Sequence, residues 1–267
     1  MTVGDERVLR IGWLYPTKLN IYGDRGNVIV LSQRAAWRGI GVEGVEIDVD
    51  DPIPDGIDLF FIGGGQDQEQ IVVSHDLAGA KGEALHRAID DGAAALAVCG
   101  GYQLLGHVYR PHDAASLPGI GVFDVESEAG SERFIGNVVV ESQWGTLVGF
   151  ENHSGLTWLG SGVEPMGRVV VGRGNNGQDG TEGVRYRNAL GCYLHGSILP
   201  KNPALADWLI GKGLEFRGQN PELTPLDDTL EQAAHRSAAG RARSERREES
   251  HPTRFGRIAA LAPIRRS

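Results

Sequence analysis

The chain has 267 residues, 40% of them hydrophobic and 23% charged, which leaves room for one α/β domain with a sizeable core plus an appendage. Its formal charge is −9, yet residues 236–267 hold nine arginines against three glutamates, so the body ahead of them is more acidic still, which argues against nucleic acid as the main ligand. Cys99 and Cys192 are the only cysteines, too few for a disulfide scaffold or a cysteine-rich metal site, and no apolar run approaches the roughly 20 residues that span a bilayer.

Residues 1–7 lack the basic-then-apolar pattern of an export signal, so a cytoplasmic protein is expected. Residues 8–15 read as a buried strand, followed by a polar loop over 20–27. A helix over 28–38 brings Val28, Leu31 and Ala35, with Ile29 at the margin, to one side, and Gly39 ends it. A short strand follows near 42–49. Residues 57–62 form an apolar strand, interrupted by one Asp, that opens into Gly63-Gly64-Gly65. One long helical region then carries Leu77, Ala84, Leu85, Ala88 and Ile89 towards Gly92. The strand 94–98 runs into Cys99-Gly100-Gly101, where a helix is expected to begin. Strands alternating with helices predict an α/β fold: an open, mostly parallel sheet flanked by helices.

After Pro118 the pattern turns β-rich, with segments at 135–141, 147–151, 168–171, 184–187 and 190–194 separated by turns such as Gly174-Asn175-Asn176-Gly177. These read as antiparallel additions to the same domain. Asn202-Pro203 supplies an N-cap and a first-turn proline for a helix whose apolar stripe is Leu205, Trp208 and Leu209. From about 217 proline and charge rise, and Arg-rich helical sequence occupies 229–249. The expected division is an α/β domain over 1–216 and an Arg-rich extension over 217–267, helical or partly disordered.

Three elements point to chemistry. Cys99 follows an apolar strand and precedes two glycines, as a nucleophile on a sharp strand-to-helix turn requires, and the following helix would turn its N-terminal amides towards the sulfur. Taken alone, Cys99 would read as one more buried thiol. The glycine run after residue 62 lets backbone N–H groups of Gly64 and Gly65 approach a ligand and, with Gly100, stabilise an oxyanion; no Gly-Lys-Ser/Thr follows, so it is not a phosphate loop. In Leu190-Gly-Cys-Tyr-Leu-His195-Gly196, strand alternation separates Cys192 from His195 and leaves His195 at a strand end, able to reach Cys99.

Five segments carry a resemblance to a known family: Leu19-Asn-Ile-Tyr-Gly-Asp-Arg-Gly-Asn27, Gly63-Gly-Gly-Gln-Asp67, Cys99-Gly-Gly-Tyr-Gln103, Gly149-Phe-Glu-Asn-His-Ser-Gly155 and Leu194-His-Gly196. Together, over roughly residues 8–210, they resemble the triad-type glutamine amidotransferases in their cobyric-acid-synthase-like branch. The resemblance implies that Cys99 is the nucleophile and His195 the general base and acid. It also implies that Gln103 contacts the substrate L-glutamine and that Arg133 binds it; a guanidinium suits an amino-acid carboxylate. Within the branch the motifs are similar to those of the subunits that supply ammonia to lipid II isoglutaminyl synthases. This implies a Mur-ligase-like synthetase partner (MurT), with ATP and Mg on that partner and no cofactor in this chain. The partner would amidate the D-glutamate α-carboxylate of the peptidoglycan stem peptide, placing the pair at the inner face of the membrane. The fused synthetase half of cobyric acid synthases is absent, which favours a separate subunit. Other acceptors such as a corrinoid, a γ-glutamyl peptidase, and a non-catalytic regulatory module on the same scaffold are the alternatives.

One departure stands out. Triad enzymes carry Glu two residues after the histidine, and here that position is Ser197. A dyad lacking its orienting carboxylate is expected to position His195 poorly, so a carboxylate from the partner, or a rearranged one from this chain, should complete the site. Asp24 and Asn27 line the active site or a partner contact, or simply make a turn. His153 reads as structural, and the basic tail as a solvated segment, a partner-docking element or a contact for an anionic membrane surface.

Overall fold

A computed structural model describes residues 7–250 apart from Tyr22 and Gly196, without the side chains of 247–250. The glycine after His195, Tyr22 of the polar loop and the tail 251–267 therefore lie outside the described residues. In chain order the elements are β1 (Val8–Leu14), α1 (Arg25–Ala36), β2 (Gly41–Ile47), β3 (Leu59–Ile62), α2 (Asp67–Leu77), α3 (Ala80–Asp90), β4 (Ala94–Val98) and α4 (Gly100–Leu104). There follow β5 (Val108–Arg110), β6 (Leu117–Pro118), β7 (Val125–Ser142), β8 (Gly145–Leu159), β9 (Gly167–Val171), β10 (Thr181–Glu182), β11 (Val184–Tyr186) and β12 (Ala189–Cys192). A 3-10 turn (Leu199–Lys201), α5 (Pro203–Phe216) and α6 (Thr229–Ser250) close the described chain.

The first sheet has the order β11-β12-β4-β3-β1-β2, and every pairing except β11 with β12 is parallel. β3 and β4 are buried at every position, which explains why they read as unbroken apolar runs rather than alternating ones. Cys99 and the glycines 63–65 follow directly from the carboxyl ends of these neighbouring strands, where open α/β sheets place their ligands.

Of the β-rich segments, read as antiparallel additions to the same domain, 184–187 and 190–194 join the first sheet as β11 and β12, and the others form a second sheet. Its order is β10-β9-β7-β5-β6, with β8 paired along β7. The β7–β8 hairpin organises it, closing at Ser142 opposite Gly145. Its register slips between Ala129 and Phe134, and Arg133 sits in that slip. Bulges of this kind bend a strand and re-aim its side chains.

Two expectations change. The single long helix after residue 65 is two, α2 and α3, because Gly79 adopts φ 89° and breaks the run. Asn202 sits at the N-cap of α5, with Pro203 next, but its side chain does not cap the helix. Instead its Oδ1 accepts the Val148 N–H at 2.9 Å and its Nδ2 donates to Val148 O at 2.8 Å, tying α5 to β8.

Residues 217–246 fold back onto the body. Ala238, Ala239 and Ala242 of α6 are buried against Val139, Val148 and Val171 of the second sheet, their small side chains allowing the helix backbone to come close. Asn137 donates to both carboxylate oxygens of Glu245 at 3.0 and 2.8 Å. Ahead of α6, the buried Arg34 guanidinium bonds Asp207 at 2.7 Å and Asp228 at 2.6 Å, clamping α1 to α5 and to the approach of α6. Among the described residues no helix is long and apolar enough to cross a membrane.

Candidate active site

Cys99 lies between β4 and α4 with φ 51° and ψ −108°, a left-handed conformation that a non-glycine residue holds only when its surroundings impose it. Those surroundings are close. The Cys99 N–H donates to Cys192 O at 2.8 Å, and a Cβ on Gly101 would sit 2.8 Å from Gly63 O. The strain expected of a nucleophile turn is thus present, and its glycines are required by contact. The expected helix is short, however: α4 spans only Gly100–Leu104, so its dipole is a small influence on the sulfur. Cys192 is a free, fully buried thiol, and burial pushes its pKa well up.

His195 is fully buried just beyond β12. Its backbone bridges Phe150 of β8, its N–H donating to Phe150 O at 2.8 Å and its O accepting the Phe150 N–H at 3.3 Å. The structure brings His195 and Cys99 together. A Cβ built on Gly64 would lie 3.1 Å from His195 Cε1 and 3.2 Å from Cys99 Cβ, so one glycine separates the two side chains. Burial disfavours the imidazolium, but the nearby Cys99 sulfur and the carboxylate of Asp24 outweigh it and raise the His195 pKa to about 10.

Asp24, read in the sequence as lining the active site or a partner contact or as part of a plain turn, is fully buried. Its Oδ2 accepts the Gly64 N–H at 2.7 Å, and its Oδ1 lies 3.9 Å from His195 Nδ1. No spacing links residue 24 to residue 195. Beside the family resemblance of segment 19–27, the signals were the glycines of the Gly23-Asp24-Arg25-Gly26 turn and the missing Glu at 197. Ser197 donates its Oγ–H to Gly23 O and so faces this turn rather than the imidazole. Asn27 accepts the Leu199 N–H at 3.0 Å, which makes it a brace for the 3-10 turn.

A cleft of about 490 Å³ opens beside Cys99, lined among others by Gly65, Gln103, Arg133, Asn152 and His153. Arg133 reaches it from the second sheet, its Nε donating to Asn152 Oδ1 at 2.7 Å and an Nη to Asn152 O at 3.2 Å. Gln103 accepts from Gln70 Nε2 at 2.9 Å and donates to Tyr193 Oη at 3.0 Å, so each end of its amide keeps one further bonding position. His153 stacks on Tyr193 at 3.7 Å, nearly parallel, and its Nδ1 pairs with Gly155 O at 2.7 Å. Burial pushes its pKa down to about 3, so it is a neutral slab beneath the cleft, consistent with a structural residue.

The three expected oxyanion glycines differ in availability. The Gly64 amide is already committed to Asp24. Gly65 and Gly100 stand side by side, a Cβ on Gly100 falling 3.2 Å from the Gly65 nitrogen. Glu182 went unnoticed in the sequence. It is buried, accepts the Tyr193 N–H at 2.7 Å, and burial raises its carboxyl pKa to about 8.

Comparison with known proteins agrees with this geometry. The chain matches the CobB/CobQ-like glutamine amidotransferase domain over residues 10–203. It is 44% identical over 232 residues to the GatD subunit of the glutamine-hydrolysing lipid II isoglutaminyl synthase of Staphylococcus aureus (strain N315), covering 86% of this chain and 94% of that protein. It is 38% identical over 229 residues to the same subunit of Streptococcus pneumoniae (strain ATCC BAA-255 / R6), covering 84% of this chain and 88% of that one. A crystal structure of a glutamine amidotransferase shares the fold, with a TM-score of 0.51 at 18% identity over 78% of this chain and 98% of that one.

Proposed function

We propose that this chain, which belongs to the CobB/CobQ-like glutamine amidotransferase family, is the glutaminase subunit of a lipid II isoglutaminyl synthase. The observation that carries the chemistry is the meeting of Cys99 and His195 across Gly64, at the edge of a cleft bordered by Arg133. In this reading Arg133 grips the α-carboxylate of L-glutamine, with Gln103 alongside. The Cys99 sulfur attacks the side-chain carbonyl carbon while His195 holds the proton it gives up. The amides of Gly65 and Gly100 receive the oxyanion. His195 returns the proton to the departing nitrogen, which leaves as ammonia, and a γ-glutamyl thioester remains. Water then attacks that thioester, His195 takes its proton, the C–S bond breaks, and glutamate is released.

The ammonia is consumed by a Mur-ligase-like synthetase partner that binds ATP and Mg and activates the D-glutamate α-carboxylate of the lipid II stem peptide, at the inner face of the membrane. Support for this acceptor is the identity to the two GatD subunits over most of both chains. The test is amidation of lipid II by the reconstituted pair carrying Cys99→Ala. Amidation supported by glutamine is lost, whereas amidation supported by ammonium chloride persists. Glutamine-dependent amidation by the variant at the wild-type rate would refute the assignment.

A further inference from the structure

We propose that the outward face of α6 is a membrane-docking surface, with Arg236, Arg241 and Arg243 contacting the headgroups of an anionic bilayer. The helix sorts its charges by side. Glu231, Ala238 and Glu245 recur at intervals of two helical turns and so share one line. That line faces the body: Ala238 is buried against the second sheet, a carboxylate oxygen of Glu231 is buried, and Glu245 accepts two bonds from Asn137. Arg236 and Arg243, also two turns apart, fall on the other side and are exposed. Arg241 is exposed on the flank, where an Nη donates to Ser237 of the same helix at 3.0 Å. Among the described residues none of the three arginines has a carboxylate partner. Solvated helices ordinarily interleave the two signs at three- and four-residue spacing. Here the acids turn inward and the arginines stay uncompensated. Lys201 lies beside α6, its carbonyl paired with His235 Nδ1 at 2.8 Å, and burial together with Arg241 pushes its pKa down.

Shape selects the partner. Between the arginines the outward face carries Ala233, Ser237, Gly240 and Ser244, all exposed, and a Cβ on Gly240 would meet nothing within 4 Å. The cleft of about 500 Å³ beside α6 is lined by Ala242, Glu245 and Arg246, from the helix's other side. A face of small residues studded with cations offers a protein neither groove nor knob, but it lies flush against a plane. Composition points the same way. Residues 251–267, outside the described residues, follow α6 in the chain with four arginines, no acid, and Phe255, Ile258, Leu261 and Ile264. Cations interleaved with large apolar side chains suit a bilayer surface, where the charges meet headgroups and the apolar groups reach the upper acyl chains. The acidic body repels such a surface, but at physiological salt that field fades over about 8 Å, so the groups at the contact decide. Docking of this kind stands apart from the glutaminase chemistry. Taken with it, ammonia would be released next to a membrane-borne acceptor.

The experiment sediments the full chain, alone and with its synthetase, with phosphatidylcholine vesicles that contain or lack phosphatidylglycerol. Wild type partitions onto the anionic vesicles and not the neutral ones. Most of that binding is lost between about 0.1 and 1 M salt, as the screening length falls from about 10 to about 3 Å. Each arginine at the surface contributes about fivefold, so the combined Arg236→Gln, Arg241→Gln and Arg243→Gln variant binds on the order of 100-fold more weakly. Glutamine is a good helix former and these positions face solvent, so hydrolysis of glutamine in solution is unchanged. The corresponding triple lysine variant binds within about threefold of wild type, because a bilayer reads charge, whereas a protein gripping guanidinium forks would lose it. Wild-type binding by the glutamine variant, lost binding by the lysine variant, or equal binding to neutral vesicles overturns the proposal. So does attachment seen only when the synthetase is present, which would mark α6 as a protein contact. Vesicle binding is read without glutamine, so its failure leaves the Cys–His reading untouched.

Discussion

Gly64→Ala tests the site with a single methyl group. Gly64 does not use a left-handed backbone, so alanine brings no conformational penalty there, and the added carbon is the whole perturbation. It would lie 3.1 Å from His195 Cε1, 3.2 Å from Cys99 Cβ and 3.2 Å from Ile21 Cγ1. Ordinary carbon contacts are about 3.5–4.0 Å, so neighbours must yield by about 0.3–0.5 Å. Ile21 can turn away, but Cys99 is held by its strained turn and His195 by its backbone bridge to Phe150, so the methyl wedges sulfur and imidazole apart. A misplacement of 1 Å can cost about 100-fold in rate, and half of that suggests about tenfold, or about 1.4 kcal/mol on the barrier. Overpacking adds about 1 kcal/mol of destabilisation, too little to unfold the chain. Glutamate release from glutamine, followed in a coupled dehydrogenase assay beside a thermal melt, separates the two effects. KM should change little, because Arg133 approaches from the second sheet. A kcat within twofold of wild type in a folded variant would refute the proximity that the mechanism assumes.

Two further outcomes follow from other parts of the molecule. Glu182 is an acid whose folded pKa, about 8, exceeds its ordinary value of 4.5, so it penalises folding as pH rises through that interval and not below it. At pH 7 the penalty is about 3 kcal/mol; Glu182→Gln should therefore raise the melting temperature on the order of 5–10 °C at pH 7 and hardly at all at pH 4.5, and an equal gain at both would contradict the buried-acid account. Ala242→Asp puts a charge into the seam between α6 and the second sheet, where Ala242 is 1% exposed. Limited proteolysis should then cut within 229–250 while the remaining core resists, and uniform resistance would show that α6 is held by something other than this alanine contact.

The centre of the first sheet was legible because β3 and β4 are buried on both faces and run into glycines. β4 falls on residues 94–98 as read, and β3 runs into Gly63 as read. The break between α2 and α3 was hidden because Leu77 and Leu85, on either side of Gly79, continue one apolar series. The long hairpin was read in fragments, since polar residues around the bulge at 130–133 and at Asn152 interrupt the apolar alternation. Cys99 and His195 were recoverable because each carries its own local punctuation. That Asp24 would lie beside His195 was not legible, because the contact joins loops 171 residues apart, and apolar periodicity says nothing about which buried acid meets which base. Asn202 illustrates the same limit. Its capping signature is local, but the Val148 backbone offered it two better partners.

The antiparallel bridge between His195 and Phe150 has a mechanical consequence. The sulfur rides on a strand of the first sheet, whereas the imidazole is stapled to the hairpin that also presents Arg133. In the proposed mechanism, acid–base competence and substrate grip therefore share one lever arm, the β7–β8 hairpin. A displacement of that hairpin relative to the first sheet would move His195 and Arg133 together while leaving the Cys99 turn in place.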